Sequence, residues 1–322
     1  MATKVTWLHR KSTPYARQLP APPGTEIRFL TQEEAEAQAD WPDVLVAGDP
    51  SEALLNGANL KRVIVPWAGV ADSLRERAGA RPHLKVHNSH YNGAMVAQHA
   101  LALLLASSNR IVAADRAMRQ GDWGSDVDGS YLGVQLSGKI ALLVGYGSIG
   151  KALRPLLEAL GMEVRAYRRR PENDADVRQY GPDELLDALA EADAVLVSLP
   201  ATPATAGLLG ARELAQLKST AVLVNVGRGA VIDERALYDV LAQGRILGAG
   251  IDVWYRYPKG EERTGVYPSE FPFQDLPNVV MSPHRGNDVL DWPLAAAEDV
   301  FETLAALQRG EARNLVDLTS GY

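Results

Sequence analysis

A glycine-rich turn at residues 145–150 carries the strongest chemical signal in this sequence of 322 residues. Its pattern, GYGSIG, follows an apolar run ending at Val144 and opens a helical stretch with one apolar face. Glycines so placed permit a tight turn, close approach of the backbone to a pyrophosphate, and close packing of helix on strand. Free N–H groups at the start of such a helix bind phosphate charge. A ligand-free glycine turn is the alternative, but the context predicts a dinucleotide site that includes Gly145, Gly147, Ser148, Ile149 and Gly150.

A basic cluster after the next predicted strand bears on which dinucleotide binds. An Asp or Glu about 20 residues beyond the glycines usually binds the ribose 2′-hydroxyl of NAD. This chain has Arg168, Arg169 and Arg170 there, with no acidic residue before Glu172. Guanidinium groups bind a 2′-phosphate, whereas a carboxylate would repel it. We therefore expect NADP(H) to be preferred over NAD(H), and the alternative is a solvated basic surface turn.

The elements that must position these residues alternate between short β-branched runs and Ala/Leu-rich helical segments, which is typical of parallel sheets with helical crossovers. A first series has candidate strands at 5–8, 26–30, 44–47, 62–65 and 85–87. A second series has candidate strands at 139–144, 163–167, 194–198, 221–226, 248–253 and 279–281.

Two long helical stretches organise these series into domains. The Ala/Leu segment 94–120 connects them as a helix or a helix pair, and the stretch 294–307 is long enough to pack back on the first lobe. The pattern predicts an α/β fold of two doubly wound parallel-sheet domains. We place one at 1–104 with 288–322 and the other at 105–287.

The composition excludes several classes of function. The net charge of −7 and the sequence pI near 5.5 lack the basic character that nucleic-acid phosphates require. The absence of cysteine rules out disulfides and thiolate sites, and no His/Asp/Glu group has the spacing of metal ligands. The first residues lack the apolar run of a signal peptide, and no apolar stretch could span a bilayer. We expect a cytoplasmic protein with no metal, membrane or nucleic-acid partner.

Several segments together resemble the D-isomer-specific 2-hydroxyacid dehydrogenase superfamily, and in character its NADPH-preferring glyoxylate/hydroxypyruvate reductases. Besides the glycine turn they are SLPATPAT (198–205), NVGRGAVIDERAL (225–237), GAGIDVW (248–254) and NVVMSPHRG (278–286). The resemblance implies a flavodoxin-like substrate domain and a Rossmann dinucleotide-binding domain. It implies hydride transfer between NADP(H) and a small 2-oxo or 2-hydroxy acid, in a cleft between two lobes. We expect a homodimer.

Two residues match the family's central catalytic positions. Arg228 matches the arginine that clamps the substrate carboxylate and carbonyl, and it follows a predicted strand, where open α/β sheets bind ligands. His284 matches the general acid/base that protonates the developing alkoxide, a task that suits histidine near neutrality. A surface cap for Arg228 and a structural role for His284 are the alternatives. The other histidines, including His99, match no catalytic position.

Further residues match positions around the cofactor and the substrate. Asp252 matches a residue on the nicotinamide side, and the other cofactor positions are Leu199, Pro200, Thr205, Val226, Gly227 and Gly286. The backbone of Gly69 and Val70 matches a first-lobe loop that receives the substrate carboxylate, and Asn92 matches an asparagine near the active site. Gly and Asn also occur in turns for local reasons. Trp67, Trp254 and Trp292 are candidates to shape a pocket, although large aromatic residues usually lie in cores.

The chain departs from the family pattern at Tyr257, where the resemblance implies a glutamate that hydrogen-bonds the catalytic histidine. A neutral phenol adds no charge beside an imidazole, so we expect reduction to be fastest at a lower pH than in relatives with the glutamate. Three explanations stay open. A nearby acid such as Glu261, Glu262 or Asp288 replaces the carboxylate, or the site works without one, as in formate dehydrogenases with a Gln there, or efficient catalysis is lost.

The alternatives for function follow from that departure. One is a non-catalytic NADP(H)-sensing interaction protein, and the other is a formate-dehydrogenase-like enzyme, which the arginine cluster disfavours. The long stretch 255–275 is either a lid over the site or surface padding.

Overall fold

The computed structural model of the protein describes residues 2–123, 132–172, 174, 176–260 and 263–319. The chain forms two compact units, Met1–Asn92 with Asp288–Tyr322, and Gly93–Asn287. No helix in the described residues has the length and apolar character needed to cross a bilayer.

The first unit is built on a five-stranded parallel sheet in the order β2-β1-β3-β4-β5. Its strands are β1 (Thr3–Leu8), β2 (Thr25–Leu30), β3 (Val44–Val46), β4 (Arg62–Ile64) and β5 (Lys85–His87). Its helices are α1 (Thr13–Ala16), α2 (Gln32–Glu36), α3 (Glu52–Leu55), α4 (Asp72–Gly79) and the C-terminal helix Trp292–Gln308. Phe301 of that last helix lies edge-on to Trp7 of β1 at 5.8 Å, so the helix packs back on the first sheet as predicted.

The second unit contains a seven-stranded parallel sheet in the order β12-β11-β10-β9-β6-β7-β8. Its strands are β6 (Ile140–Val144), β7 (Glu163–Tyr167), β8 (Arg178–Tyr180), β9 (Ala194–Val197), β10 (Val222–Asn225), β11 (Gly248–Ile251) and β12 (Val279–Met281). Its helices are α5 (Gly93–Ser108), α6 (Ile111–Met118), α7 (Ser148–Ala159), α8 (Leu185–Glu191), α9 (Ala211–Leu214) and α10 (Glu234–Ala242). β6, β9, β10 and β11 are almost wholly buried, as expected for parallel strands with helices on both faces. The predicted α/β class with two doubly wound sheets is confirmed.

Two details differ from the sequence expectation. The boundary expected at 104/105 falls inside α5, which packs on the second sheet so closely that a Cβ at Gly250 would lie 2.7 Å from the Cβ of Leu103. The stretch 94–120 is a helix pair, which is one of the two predicted forms, and it is interrupted at Arg110, whose φ is 54°. Strand β8 was not predicted, because its three residues, RQY, contain no apolar run.

Candidate cofactor and catalytic site

The glycine turn joins β6 to α7, and each of its glycines has a separate reason to lack a side chain. Gly145 has a φ of 105°, which L-residues rarely adopt. A Cβ at Gly150 would lie 2.6 Å from the carbonyl oxygen of Gly145, so this glycine permits close packing of helix on turn. A Cβ at Gly147 would meet no protein atom within 4 Å, and Gly147 caps a helix that opens at Ser148 and Ile149. Open space beside a helix N-terminus fits a bound pyrophosphate.

The loops after β9 and β10 converge on this turn. Ser198 donates its hydroxyl hydrogen to the carbonyl of Gly145 at 3.1 Å, and Leu199 packs against Gly145. A Cβ at Gly227 would overlap the carbonyl oxygen of Leu199, so only glycine lets these loops approach. The N–H of Val226 donates to Val197 at 3.0 Å and extends the ladder to this edge. The predicted cofactor residues after β9 and β10 therefore lie together at the carboxyl ends of neighbouring strands.

Thr205 shapes the loop after β9 from within. Its hydroxyl donates to the carbonyl of Pro200 at 2.6 Å and accepts the N–H of Thr202 at 2.8 Å. These two hydrogen bonds stabilise the turn formed by residues 200–205.

Arg168 lies just beyond β7, and only one of the two terminal nitrogens of its guanidinium has a hydrogen-bond partner in the described residues. Nη2 donates to Glu172 Oε1 at 2.7 Å, whereas Nη1 is buried without a hydrogen-bond partner in the described residues. Gln179 on β8 presents a second buried donor of the same kind, Nε2, while its Oε1 accepts the N–H of Glu172 at 2.9 Å. Arg169 and Arg170 are exposed. Buried donors without acceptors are costly, so this corner of the unit fits an anionic group.

Arg228 follows β10 in an extended conformation, with φ −143° and ψ 143°. Asn225, which is buried, holds the turn, because its Oδ1 accepts the N–H of Gly227 at 3.1 Å and its Nδ2 donates to the carbonyl of Arg228 at 3.2 Å. The guanidinium is half-buried and donates through Nη1 to the carbonyl of Gly227 at 2.7 Å. Asn225 is a positioning residue to which no role was assigned from sequence, although it stands in the same motif.

Asp252, at the end of β11, anchors the loop that carries His284. Its carboxylate is buried and accepts the hydroxyl of Ser282 at 2.5 Å, the N–H of Arg285 at 2.9 Å and the N–H of Gly286 at 3.0 Å. These bonds bracket His284 on both sides and fix the direction of the loop.

His99 on α5 completes this anchor, a role that the sequence did not indicate. Its Nε2 lies 2.9 Å from Ser282 Oγ and 3.2 Å from Asp252 Oδ1. The contacting residues lie far apart in the chain, and no local pattern links a histidine on one helix to a strand end. The only available signal was a pair of polar residues, Gln98 and His99, in the otherwise apolar segment VAQHALALLL.

His284 is exposed and has a φ of 55°. A non-glycine residue in this left-handed region is uncommon and is found preferentially at functional sites. Its ring lies against Tyr257, with the ring centroids 5.5 Å apart and the planes inclined at 54°.

Tyr257 stands beside the imidazole as a neutral group. Its hydroxyl oxygen accepts the N–H of Trp254 at 3.0 Å, which leaves its hydrogen to be donated elsewhere. Burial raises the pKa of Tyr257, and the charge of Asp252 raises it further, whereas the hydrogen bond from Trp254 and the charge of Arg228 act in the opposite direction. Arg228, Tyr257 and His284 are thus brought to the same edge of the second sheet.

Three acids are candidate substitutes for the missing carboxylate. Glu261 and Glu262 lie outside the described residues, and Asp288 belongs to the first unit. Within the stretch 255–275, the later part packs on the body of the unit. Ser269 donates to Glu234 of α10 at 2.6 Å, and Phe273 is fully buried.

The predicted substrate residues Gly69 and Val70 follow β4 in the first unit. The loop that carries them is fixed by Asn88, which donates through Nδ2 to the carbonyl of Ala68 at 2.7 Å. Both residues are partly exposed, and Asn92, which immediately precedes α5, is partly exposed as well. Of the three tryptophans, Trp254 lies in the core, Trp292 is partly buried at the start of the C-terminal helix, and Trp67 is 36 % exposed.

The sheet order, the glycine turn and the polar residues at the strand ends define an α/β dinucleotide-binding protein of the dehydrogenase type. The chain belongs to the D-isomer specific 2-hydroxyacid dehydrogenase family, because the sequence model of that family's NAD binding domain matches residues 101–286. This finding confirms the family indicated by the motifs.

Known proteins similar to the chain include two named reductases and a solved dehydrogenase. Glyoxylate/hydroxypyruvate reductase B of Pectobacterium carotovorum subsp. carotovorum is 36 % identical over 220 residues, which are 68 % of this chain and 66 % of that protein. Glyoxylate reductase of Korarchaeum cryptofilum is 32 % identical over 308 residues, covering 90 % of this chain and 85 % of that protein. A D-isomer specific 2-hydroxyacid dehydrogenase of Xanthobacter autotrophicus Py2 was solved with NADPH and MES. Its structure matches this one with a TM-score of 0.81 and 27 % sequence identity, and the match covers 100 % of each chain.

Proposed function

We propose that the protein reduces small 2-oxo acids, such as glyoxylate or hydroxypyruvate, to 2-hydroxy acids with NADPH. The observation that carries this proposal is the grouping of Arg228, Tyr257 and His284 at the edge of the sheet where the glycine turn fits a pyrophosphate. A cation and a proton donor beside a nicotinamide site are what the reduction of a keto group next to a carboxylate requires.

Each residue of the candidate site has a separate role in the proposed reduction. NADPH held at the glycine turn by Gly145, Gly147 and Gly150 would supply the hydride that reduces the keto carbon. Arg228 orients the carboxylate and polarises the carbonyl, and His284 donates a proton to the oxygen, so that a 2-oxo acid, NADPH and one proton give a 2-hydroxy acid and NADP⁺. The family resemblance assigns the backbone of Gly69 and Val70 to the substrate carboxylate and Asn92 to the active site. Asp252 positions the loop of His284 through the bonds that bracket it.

Tyr257 supports the explanation in which the site works without a carboxylate. Its oxygen already accepts one N–H, so its own hydrogen can be donated only to an acceptor such as an unprotonated imidazole nitrogen or the substrate. The phenol therefore orients His284 without holding it in the charged form.

A screen of NADPH oxidation with a panel of 2-oxo acids, at several pH values, tests the function. Turnover with glyoxylate or hydroxypyruvate supports the proposal. Tight NADPH binding without turnover would instead support a cofactor-sensing interaction protein, and reduction of NADP⁺ by formate would support a formate-dehydrogenase-like enzyme.

We further infer that NADP(H) is preferred because Arg168 and Gln179 bind the 2′-phosphate. Replacement of Arg168 by Gln is expected to lower kcat/KM for NADPH by about 10- to 100-fold, the usual range for a lost charged hydrogen bond. The value for NADH should change little, because its ribose carries no phosphate. Steady-state kinetics with both cofactors measure the ratio, and a wild-type enzyme that favours NADH tenfold would overturn the inference.

Glu172 provides the matched counterpart of that variant. Its carboxylate competes with a phosphate for Arg168 and repels it, so Glu172→Gln is expected to raise kcat/KM for NADPH and leave that for NADH unchanged. An equal change for both cofactors would place Glu172 outside the 2′-phosphate site.

The proposed enzyme is a cytoplasmic homodimer. The dimer is supported by apolar residues that no described part of the chain covers, namely Ile111 and Met118 on α6, which are 53 % and 46 % exposed, and Trp123, which is 85 % exposed. Light scattering of the wild type should give twice the chain mass, and Ile111→Glu should shift the population toward monomer. A monomeric wild type would contradict the expectation.

A further inference from the structure

A second group of functional side chains lies in the first unit, at the carboxyl ends of three adjacent strands. Arg10 follows β1, Gly48 follows β3 and Trp67 follows β4. In the sheet order β2-β1-β3-β4-β5, the chain adds β2 on one side of β1 and then adds β3, β4 and β5 on the other side. The point where the strand order reverses therefore lies between β1 and β3. In open α/β sheets, ligands bind outside the carboxyl ends of the strands at such a switch point.

The three residues are packed against one another. The guanidinium carbon of Arg10 lies 4.5 Å from the centroid of the Trp67 ring. A Cβ at Gly48 would overlap that ring and would lie 3.0 Å from Nη2 of Arg10. The glycine thus lets the indole lie on the backbone after β3, and the indole in turn supports the guanidinium.

The charge of Arg10 has no anionic partner in the described residues. No carboxylate there lies within ion-pair distance of it, and Asp49, which follows Gly48 in the chain, is paired with Arg77 and accepts the hydroxyl of Ser73. Burial alone lowers the pKa of Arg10, which reflects a guanidinium that has lost water without gaining a carboxylate. A guanidinium on an aromatic face, with donors that no acid occupies, is suited to bind a carboxylate or phosphate through two parallel hydrogen bonds.

The position of this cation relates it to the loop that we propose for the substrate carboxylate. Trp67 stands two residues before Gly69, so the two Cα atoms are at most about 7 Å apart along the chain. Ser89 and Asn88 hold that segment, because they donate to the carbonyls of Trp67 and Ala68 at 3.3 Å and 2.7 Å. An anion on Arg10 would therefore lie at the same carboxyl edge of the first sheet as a carboxylate held by the Gly69–Val70 backbone.

We propose that Arg10 and Trp67 bind a second anionic group of the substrate, so that the preferred substrates are 2-oxo acids with a carboxylate or phosphate at the end remote from the keto acid. The proposal rests on the proposed function and narrows it. Glyoxylate has no atoms to reach Arg10, and hydroxypyruvate reaches it only with a neutral hydroxyl.

Matched pairs of substrates test the subsite. We expect kcat/KM to be about tenfold or more higher for oxaloacetate than for 2-oxobutyrate, or for 3-phosphohydroxypyruvate than for hydroxypyruvate, the range for one charge-assisted contact. The first pair tests whether the site recognises a remote carboxylate, and the second tests whether it recognises a remote phosphate. Arg10→Gln should remove the preference and leave kcat/KM for glyoxylate unchanged, which also shows that the variant is folded.

Arg17→Gln is the matched control, because Arg17 is another guanidinium of this unit over an aromatic ring, 5.4 Å from the centroid of Phe29. It should keep the preference. Equal kcat/KM within both pairs, or a preference that survives in Arg10→Gln, would overturn the proposal while leaving glyoxylate reduction intact.

A binding measurement separates this proposal from failure of the proposed function. If no 2-oxo acid oxidises NADPH, titration calorimetry with 3-phosphoglycerate and lactate on the full chain still reports the subsite. Binding of 3-phosphoglycerate that is about tenfold weaker in Arg10→Gln, with no change for lactate, supports it. Equal binding of 3-phosphoglycerate by wild type and variant, or no binding by either, overturns it.

Discussion

Replacement of His284 by asparagine is expected to lower kcat for 2-oxo acid reduction by about 10²- to 10⁴-fold, the usual contribution of a positioned proton donor. Asparagine tolerates the left-handed backbone at this position, where φ is 55°, so the loop held by Asp252 should persist. Steady-state kinetics measure the loss, and NADPH binding followed by fluorescence should be unchanged. His83→Asn, at an exposed site in the first unit, is the matched control and should behave as wild type.

The role of His284 as proton donor also predicts the direction in which the rate changes with pH. Reduction consumes a proton, so kcat/KM for reduction should fall as pH rises, whereas kcat/KM for oxidation of the hydroxy acid should rise. Burial raises the pKa of Tyr257, so the phenol stays neutral around neutral pH and does not account for the change. The dependence should disappear in His284→Asn. A variant with wild-type rates and a wild-type profile would assign the proton to another group.

Replacement of Arg228 by glutamine is expected to lower kcat/KM by about 10²- to 10³-fold, because it removes a preorganised donor from the developing charge. Lysine at this position keeps the charge but not the planar fork, so Arg228→Lys should recover only part of the loss. The same kinetic assay with glyoxylate measures both variants. Arg212→Gln, at an exposed position on α9, is the control and should be neutral.

Two outcomes would count against this role for Arg228. A loss confined to the KM for NADPH would place Arg228 at the cofactor instead of the substrate. Full recovery by lysine would show that only charge matters and that the bidentate clamp is not used.

Much of the fold was predictable because buried parallel strands are continuous apolar runs. The ranges 85–87, 163–167 and 279–281 were predicted with the bounds that β5, β7 and β12 have. Strand β8 was missed since Arg178, Gln179 and Tyr180 show no such run and pair only with the end of β7. That omission mattered, because β8 supplies Gln179 beside Arg168.

The residues of the candidate site could be predicted from their types and their positions at strand ends, but the hydrogen bonds between them could not. The sequence indicates Asp252 and His284 by motif, yet it cannot show that Asp252 accepts both N–H groups following His284. The contact of His99 with Ser282 joins two distant segments, which only the folded chain brings together. Likewise, Arg10 and Trp67 have no motif in common, and their stacking arises from the parallel order of β1, β3 and β4.

Transfer of label from NADPH deuterated at C4 of the nicotinamide tests the proposed chemistry most directly. With glyoxylate or a 2-oxo dicarboxylate as acceptor, the 2-hydroxy acid should carry one deuterium at C2, detected by mass spectrometry, and only one of the two C4 positions should donate it. Oxidation of NADPH that leaves no deuterium in the product would contradict hydride transfer to the keto carbon. Tight cofactor binding with no oxidation for any acceptor would contradict the assignment of Arg228 and His284 as catalytic residues.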